Sequence, residues 1–442
     1  MKTKLMLALT GFLLTVGLTA QENSYSLLQA QDYAVANSYN VKSATLEIEK
    51  SKKVLLENIA IGLPQINTTG NWTNNLDRQV FVLDQGNGPV PIRVGTKYTG
   101  SAVIAGEQLI FDGSYIVAIL AADVLKENSI NAHEKSQIDI REQVAKSYHL
   151  VLVSEKTLEI INDNLVYVEK NFEESKRMFE VGFMEEQDVN QLELIVSNLK
   201  NNRDYAEKQI AIAKMLLKFH MGLDVEKQIR LTDEVETLML FSQEGGTLLT
   251  ETFDLENHID YRTILTQEKG QDLNLKNERV SLLPKLKFNY LYQESFFSEE
   301  SGLYSNGQNV GNQYIALNMS LPIFTGGKRL ARIQQAKIEV DQLAISKMQL
   351  SDNLKVQFET ARAEYDYALN SYFTQMRNVE ISKKIRDVAS RKLAEGIGTS
   401  LDYTTTENQY QDALSSAINA ANNVLDKKVQ LEKILGKYNT VQ

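Results

Sequence analysis

Asp188 and Asp402 occupy the same place in two copies of one pattern. Phe179-Glu180-Val181-Gly182, followed by Asp188 and Glu193, returns as Leu393-Ala394-Glu395-Gly396, followed by Asp402 and Glu407, every member displaced by 214 positions. Carboxylates just after a glycine turn are favourable in the first turn of a helix, where they meet free N–H groups and the positive end of the helix dipole. Other reactive groups are thin. His133, His149, His220 and His258 are scattered, and His133-Glu134 lacks the second histidine of a zinc-protease helix. Gly326-Gly327-Lys328 lacks the upstream glycine and the following Ser or Thr of a phosphate loop, and there is no cysteine. The expectation is a protein that is not an enzyme and has no cofactor and no metal site.

The elements that place the two acids are long. From Ser114 to Val181 there is neither proline nor glycine, and Ile130, Gln137, Val144, Val151, Leu158, Leu165, Phe172 and Phe179 recur every seventh residue. Ile140, Ile161 and Val168 stand three residues further on, which makes a coiled-coil seam. Such a helix reaches on the order of 100 Å, too long for a compact core. Ser147, Ser154 and Ser175 alternate with the large side chains and admit a neighbour's knobs. A second helix after Gly182 returns antiparallel, with Leu192, Ile195 and Leu199 along it. The second half repeats the plan, and Lys428 interrupts the return stripe of Tyr410, Leu414, Ala417, Ala421, Val424, Leu431 and Leu435.

Each half also carries a non-helical insert, entered at Pro64 or Pro284. Leu63-Pro64-Gln65-Ile66 returns as Leu283-Pro284-Lys285-Leu286, and Ile110-Phe111-Asp112-Gly113 as Ile323-Phe324-Thr325-Gly326. There the period becomes two. Leu286, Phe288, Tyr290 and Tyr292, and later Ile315, Leu317, Met319 and Leu321, alternate with polar residues, and a polar link from Glu294 to Asn312 separates them. The first half is weaker: Ile66, Thr68 and Trp72 share a face, the run from Tyr98 to Ile110 alternates imperfectly, and 84–89 marks the loop.

Lys2 and Lys4 precede an apolar run from Leu5 to Val16 that ends at Thr19 and Ala20. This is the expected form of a secretory signal cut near Ala20; the run is shorter than the ~20 residues that span a bilayer. Removing it takes the formal charge from −10 to about −12, which disfavours nucleic acid as a partner. Without cysteine, N-terminal lipidation is excluded. An exported chain without a membrane helix can still cross an outer membrane as a β-barrel, but closure takes about eight strands or more. Four strands of ~10 residues are long enough to cross at a tilt. They need other copies to close: two copies reach a filled barrel, and three reach one with a lumen.

Leu321-Pro322-Ile323-Phe324-Thr325-Gly326-Gly327-Lys328-Arg329, with Ala331-Arg332-Ile333, the proline opening each strand pair and the paired glycine-to-aspartate turns, resembles the TolC-like outer-membrane efflux channels over essentially the whole mature chain. The resemblance implies a mainly helical protein with a membrane β-barrel. In that family a homotrimer builds a twelve-stranded barrel in outer-membrane lipid and continues it as a periplasmic helical tunnel. It also implies partners: a periplasmic adaptor and, through it, an inner-membrane transporter. The turns then lie at the periplasmic entrance. Asp402 matches an acidic ring position, Thr405 stands where the best-known member has a second acid, and Leu393 replaces a tyrosine that helps closure there. Asp188 and Gln191 are the first-half entrance candidates, with Glu185 and Glu186 nearby. Gly182, Phe183 and Met184, with Gly396, Ile397, Gly398, Thr399 and Ser400, are the candidate adaptor contacts.

The expected division is a signal over 1–20, a first repeat over 21–222 (helix 24–62, strands within 65–110, helices 114–181 and 186–221) and a linker or belt over 223–250. A second repeat follows over 251–436 (helix 251–282, strands within 285–321, helices 328–395 and 401–435), then a tail over 437–442. Two other readings explain less. An exported coiled-coil structural protein leaves the matched strand pairs unexplained, and a periplasmic adaptor normally has one hairpin where this chain has two.

Overall fold

The computed structural model describes residues 24–84, 86, 88–235, 246–301 and 307–439. The expected signal segment, much of the linker and the end of the tail lie outside the described residues. A two-residue strand β1 (Ser24–Tyr25) leads into helices α1 (Leu27–Asn37) and α2 (Tyr39–Ile61). Strands β2 (Gln65–Asn74), β3 (Gln79–Asp84), β4 (Pro89–Val94) and β5 (Tyr98–Phe111) follow, then α3 (Gly113–Glu180) and its return α4 (Glu186–Met221). After β6 (Arg230–Leu231) and the single turn α5 (Gly246–Thr250) come α6 (Ile259–Val280), β7 (Lys285–Ser298) and β8 (Gln308–Ser320). The last helices are α7 (Lys328–Ala394) and α8 (Ser400–Ile434). Among the described residues, no helix is long and apolar enough to cross a membrane.

The chain divides into two compact units. The first takes residues up to Val41, Ile138–Thr252 and Thr360–Lys433. Its larger core gathers Ala30 and Ala34 of α1, Val144, Tyr148 and Val151 of α3, and Leu217 and Met221 of α4. β1 pairs in parallel with β6, and Tyr148 joins the two ends of this arrangement by donating its hydroxyl to Tyr25 O at 2.9 Å while accepting from Asp233 N at 3.3 Å. Ser26 and Gln29 cap α1 reciprocally. The expected single helix over 24–62 is broken at Ser38, which is extended. The reason is a close approach: Gly222, at φ +71°, lies against the backbone of Asn37 and Ser38, so closely that a Cβ on it would overlap Asn37 O.

The second unit takes Lys42–Gln137, Phe253–Glu359 and the residues from Ile434 on. Its four-stranded antiparallel sheet runs β2-β5-β7-β8, and β3 and β4 form a separate hairpin between β2 and β5. Cross-strand neighbours share a face. Ile66, Gly106, Tyr290 and Ile315 line up in one row, and Trp72, Gly100 and Phe296 in another. Thr69, Val103, Gln293 and Asn312 belong to the opposite, more polar face. The imperfect alternation of β5 now has a cause. Gly100 stands where a Cβ would press on the backbone oxygen of Asn71 at 3.1 Å, with the Phe296 and Trp72 rings at ordinary contact distance beside it.

Two expected boundaries are corrected here. The link from Glu294 to Asn312 is shorter than its composition suggests, because pairing continues to Phe297 opposite Gln308; backbone hydrogen bonding outweighs a polar sequence where both strands are present. The expected helix over 251–282 begins only at Ile259, where His258 Nδ1 accepts from Asp260 N. Phe253, upstream of that start, is instead stacked on Phe358 at 5.4 Å between ring centroids.

Candidate functional site

The two glycine turns belong to the first unit and share one geometry. Gly182 and Gly396 adopt φ +81° and +72°, and nothing lies within 4 Å of where a Cβ would stand, so glycine is required by conformation and not by crowding. Phe183 N donates to Met178 O at 2.8 Å and Ile397 N to Lys392 O at 3.0 Å, the six-to-one bond that closes a helix end. Gly398 differs. A Cβ there would stand 2.9 Å from Lys392 Cβ and 3.1 Å from Leu393 N, so its close approach is to its own helix.

The candidates separate at this point. Thr399 Oγ1 accepts from Asp402 N at 3.1 Å and so caps α8. Asp402 and Thr405 are exposed, one turn apart on α8, and the Asp402 carboxylate has no partner among the described residues. Asp188 has one. Ser400, almost fully buried, donates its hydroxyl to Asp188 Oδ1 and lies 2.9 Å from Gln191 Oε1. The start of α4 has no side-chain cap from Glu185, so Asp188 serves the contact between the two turns. Phe183 and Ile397 project into solvent at 83% and 72% exposure. Met184 turns inward onto the small core of Leu165, Val168, Leu192, Ile195, Leu199, Leu393 and Tyr403.

Behind the turns lies a polar cluster that sequence reasoning missed. Arg386 of α7 lies between Tyr167 of α3 and Tyr410 of α8, its guanidinium carbon 4.1 Å and 4.3 Å from the ring centroids. It donates to Asn164 Oδ1 at 3.1 Å and to Asp387 Oδ1 at 2.6 Å, and lies 3.8 Å from Glu407 Oε2. Glu407, 0% exposed, accepts from Asn164 Nδ2 at 2.8 Å and from Gln411 Nε2 at 2.7 Å. Tyr403 donates to Glu407 Oε2 at 3.5 Å and accepts from Asn171 Nδ2 at 2.9 Å. Burial raises the Glu407 carboxyl above its usual range, against the pull of the Gln411 hydrogen bond and the Arg386 charge. Asp387 already balances Arg386, so a charge on Glu407 is surplus. The sequence held a signal for this: Glu407 stands seven residues before Leu414, on the apolar stripe of α8.

Lys428 interrupts the same stripe. It faces His149, whose imidazole is driven to about 3 by burial, with the lysine charge adding to the effect. His149 is therefore neutral near pH 7.

Residues 271–437 match the family described as outer membrane efflux protein. That segment of the chain resembles the TolC-like outer-membrane efflux proteins. The whole chain is 21% identical over 415 residues to outer membrane protein TolC of Vibrio cholerae, covering 93% of this chain and 90% of the relative. The likeness of fold extends to solved structures. The chain resembles CusC at a TM-score of 0.72 with 16% identity, over 93% of this chain and 92% of that one. It resembles the open-state MtrE channel of Neisseria gonorrhoeae at 0.69 with 17% identity, over 93% and 88%.

Proposed function

We propose that three copies of the chain assemble into a twelve-stranded outer-membrane barrel continued by a periplasmic helical tunnel, the exit duct of a tripartite efflux or secretion system. One observation carries this reading. The four-stranded sheet has two open edges, since β2 and β8 each have one strand neighbour among the described residues, and its apolar face is exposed through Ile66, Trp72, Tyr290, Ile315, Leu317 and Met319. An open edge and an exposed apolar face each require cover. Copies on both edges and lipid against the face supply it, and only a closed barrel satisfies every backbone group in a bilayer.

In this reading the turns face the periplasm, and three Asp402 carboxylates with Thr405 beside them line the entrance. Phe183 and Ile397, with the backbone at Gly182, Gly396 and Gly398, meet a periplasmic adaptor, and through it an inner-membrane transporter. Asp188, Gln191 and Ser400 hold the two turns of one chain together. The experiment is native mass measurement of the detergent-extracted protein combined with planar-bilayer conductance. A conducting trimer is expected; a monomer without conductance overturns the proposal.

A further inference from the structure

The apolar row of β8 does not end where its ladder ends. Ile315, Leu317 and Met319 point to one face, the last paired residue is Ser320 opposite Lys285, and Leu321 and Ile323 continue the two-residue spacing beyond it. Ile323 and Phe324 are 92% and 89% exposed. At the start of α7 the chemistry changes to cationic. Lys328 and Arg332 are four residues apart, hence on one helix face, both are exposed, and neither side chain has a hydrogen bond or ion pair among the described residues. Arg329 between them is occupied with Ser281 O.

The equivalent place in the first repeat is closed on itself. Phe111 is paired with Leu286 in the ladder. Asp112 forms an ion pair with Lys285 at 2.8 Å and accepts from Ser114 N at 2.8 Å. No lysine or arginine follows it before Lys126. The two copies therefore differ in chemistry at the same strand-to-helix junction: one is internally neutralised, and the other exposes an isoleucine and a phenylalanine beside two unpaired cations.

We propose that Leu321, Ile323, Phe324, Lys328 and Arg332 form a docking surface for a glycerophospholipid with an anionic headgroup. The occupant follows from continuity and charge. The apolar residues prolong the row of β8 that faces lipid in the barrel reading, on which this inference rests, and so lie at acyl-chain level. The cations begin where the strand has ended, at headgroup level, and their methylene stems cover apolar surface while the charges reach phosphate. A second copy of the chain, itself acidic, is the other occupant of complementary charge.

Native mass spectrometry of the intact protein exposed to phosphatidylglycerol or phosphatidylcholine of matched acyl chains tests the site. The wild-type protein should retain phosphatidylglycerol about thirtyfold better, the preference expected of two cations at a lipid surface. K328Q/R332Q should lose that preference, and K337Q, one turn further along α7, should keep it. Equal retention by the wild type, or an undiminished preference in the double variant, overturns the site. Because the chain has no cysteine, F324C carries a single label. Quenching by brominated acyl chains supports the lipid, whereas label-to-label cross-linking between copies overturns it. Conductance of the same preparation separates the two levels: a conducting channel without lipid discrimination overturns the docking surface alone, and a protein that does not conduct overturns both readings.

Discussion

Asn164 holds Glu407 by a 2.8 Å hydrogen bond from its Nδ2, while its Oδ1 accepts from Arg386. One amide thus stands between the two opposite charges of the buried cluster and lets neither go without a partner. Asn164 belongs to the first repeat, and Glu407 and Arg386 to the second, so this is a tie between the duplicated halves. Ser400 and Asp188 make a second tie nearer the turns.

Truncating Arg386 should be far more damaging than neutralising Glu407. Arg386→Ala leaves an uncompensated buried carboxylate, at a cost of about 3–5 kcal/mol. Glu407→Gln keeps the shape and removes the surplus charge, so it should cost about 1 kcal/mol or less. Arg386→Lys should not rescue, because an ammonium cannot lie flat between Tyr167 and Tyr410. Thermal unfolding of the four proteins followed by helical circular dichroism checks the order, and the double variant should recover part of the Arg386→Ala loss.

Acidification should narrow that loss. The folded Glu407 pKa lies above its reference value of 4.5 because burial disfavours the charged form, so the folded chain takes up this proton more readily than the unfolded one. Its contribution to stability rises as pH falls through the folded pKa and levels off below the unfolded value. The gap between wild type and Arg386→Ala should shrink over that window and stay constant in a Glu407→Gln background. Unfolding midpoints measured from pH 7.5 to 4.5 provide the check.

Ser400→Ala should loosen the two turns with little loss of global stability. It removes the bond to Asp188 at a site that is otherwise packed, a cost of about 1–2 kcal/mol. Single-channel recording should show a larger resting conductance than wild type; an unchanged trace would mean that the contact is structural only.

Asp402→Asn should leave the unfolding midpoint within error, since the exposed carboxylate has no partner among the described residues. Block of the conductance by divalent cations should weaken severalfold. Block equal to wild type would remove Asp402 from the entrance.

Gly398→Ala and Gly182→Ala should both destabilise, for different reasons. The Gly398 methyl group would press on the Lys392–Leu393 backbone, whereas Gly182→Ala would only force a positive φ on alanine, about 1 kcal/mol. Replacing Gly182 with asparagine, which tolerates that region, should therefore recover stability; the same change at Gly398 should not. Paired unfolding curves distinguish them.

Local chemistry was legible along the chain. Gly182, Gly222, Gly396 and Gly436 end helices with positive φ, because only glycine takes that conformation without penalty, and the two-residue period of β7 and β8 placed their apolar face before any partner was known. The break at Ser38 was not legible, since its cause, the backbone of Gly222, is far away in sequence. Nor was the buried cluster of Arg386 and Glu407. A charged residue on an apolar stripe shows as an exception at Glu407, but its partner Asn164 is 243 residues distant, and nothing local selects one amide among many.

Residue type and spacing by themselves determined the repeat, the helix ends marked by glycine, the strand faces and the place of Asp402 in the first turn of its helix. These depend on periods of seven and two and on single backbone conformations. Only the tertiary structure decided that β5 pairs with β7 across the repeats, that Asp188 serves Ser400, and that Arg386 and Glu407 share one buried site. Each of these depends on how separate elements are rotated and set against one another, and that choice is made by the packing of the whole chain.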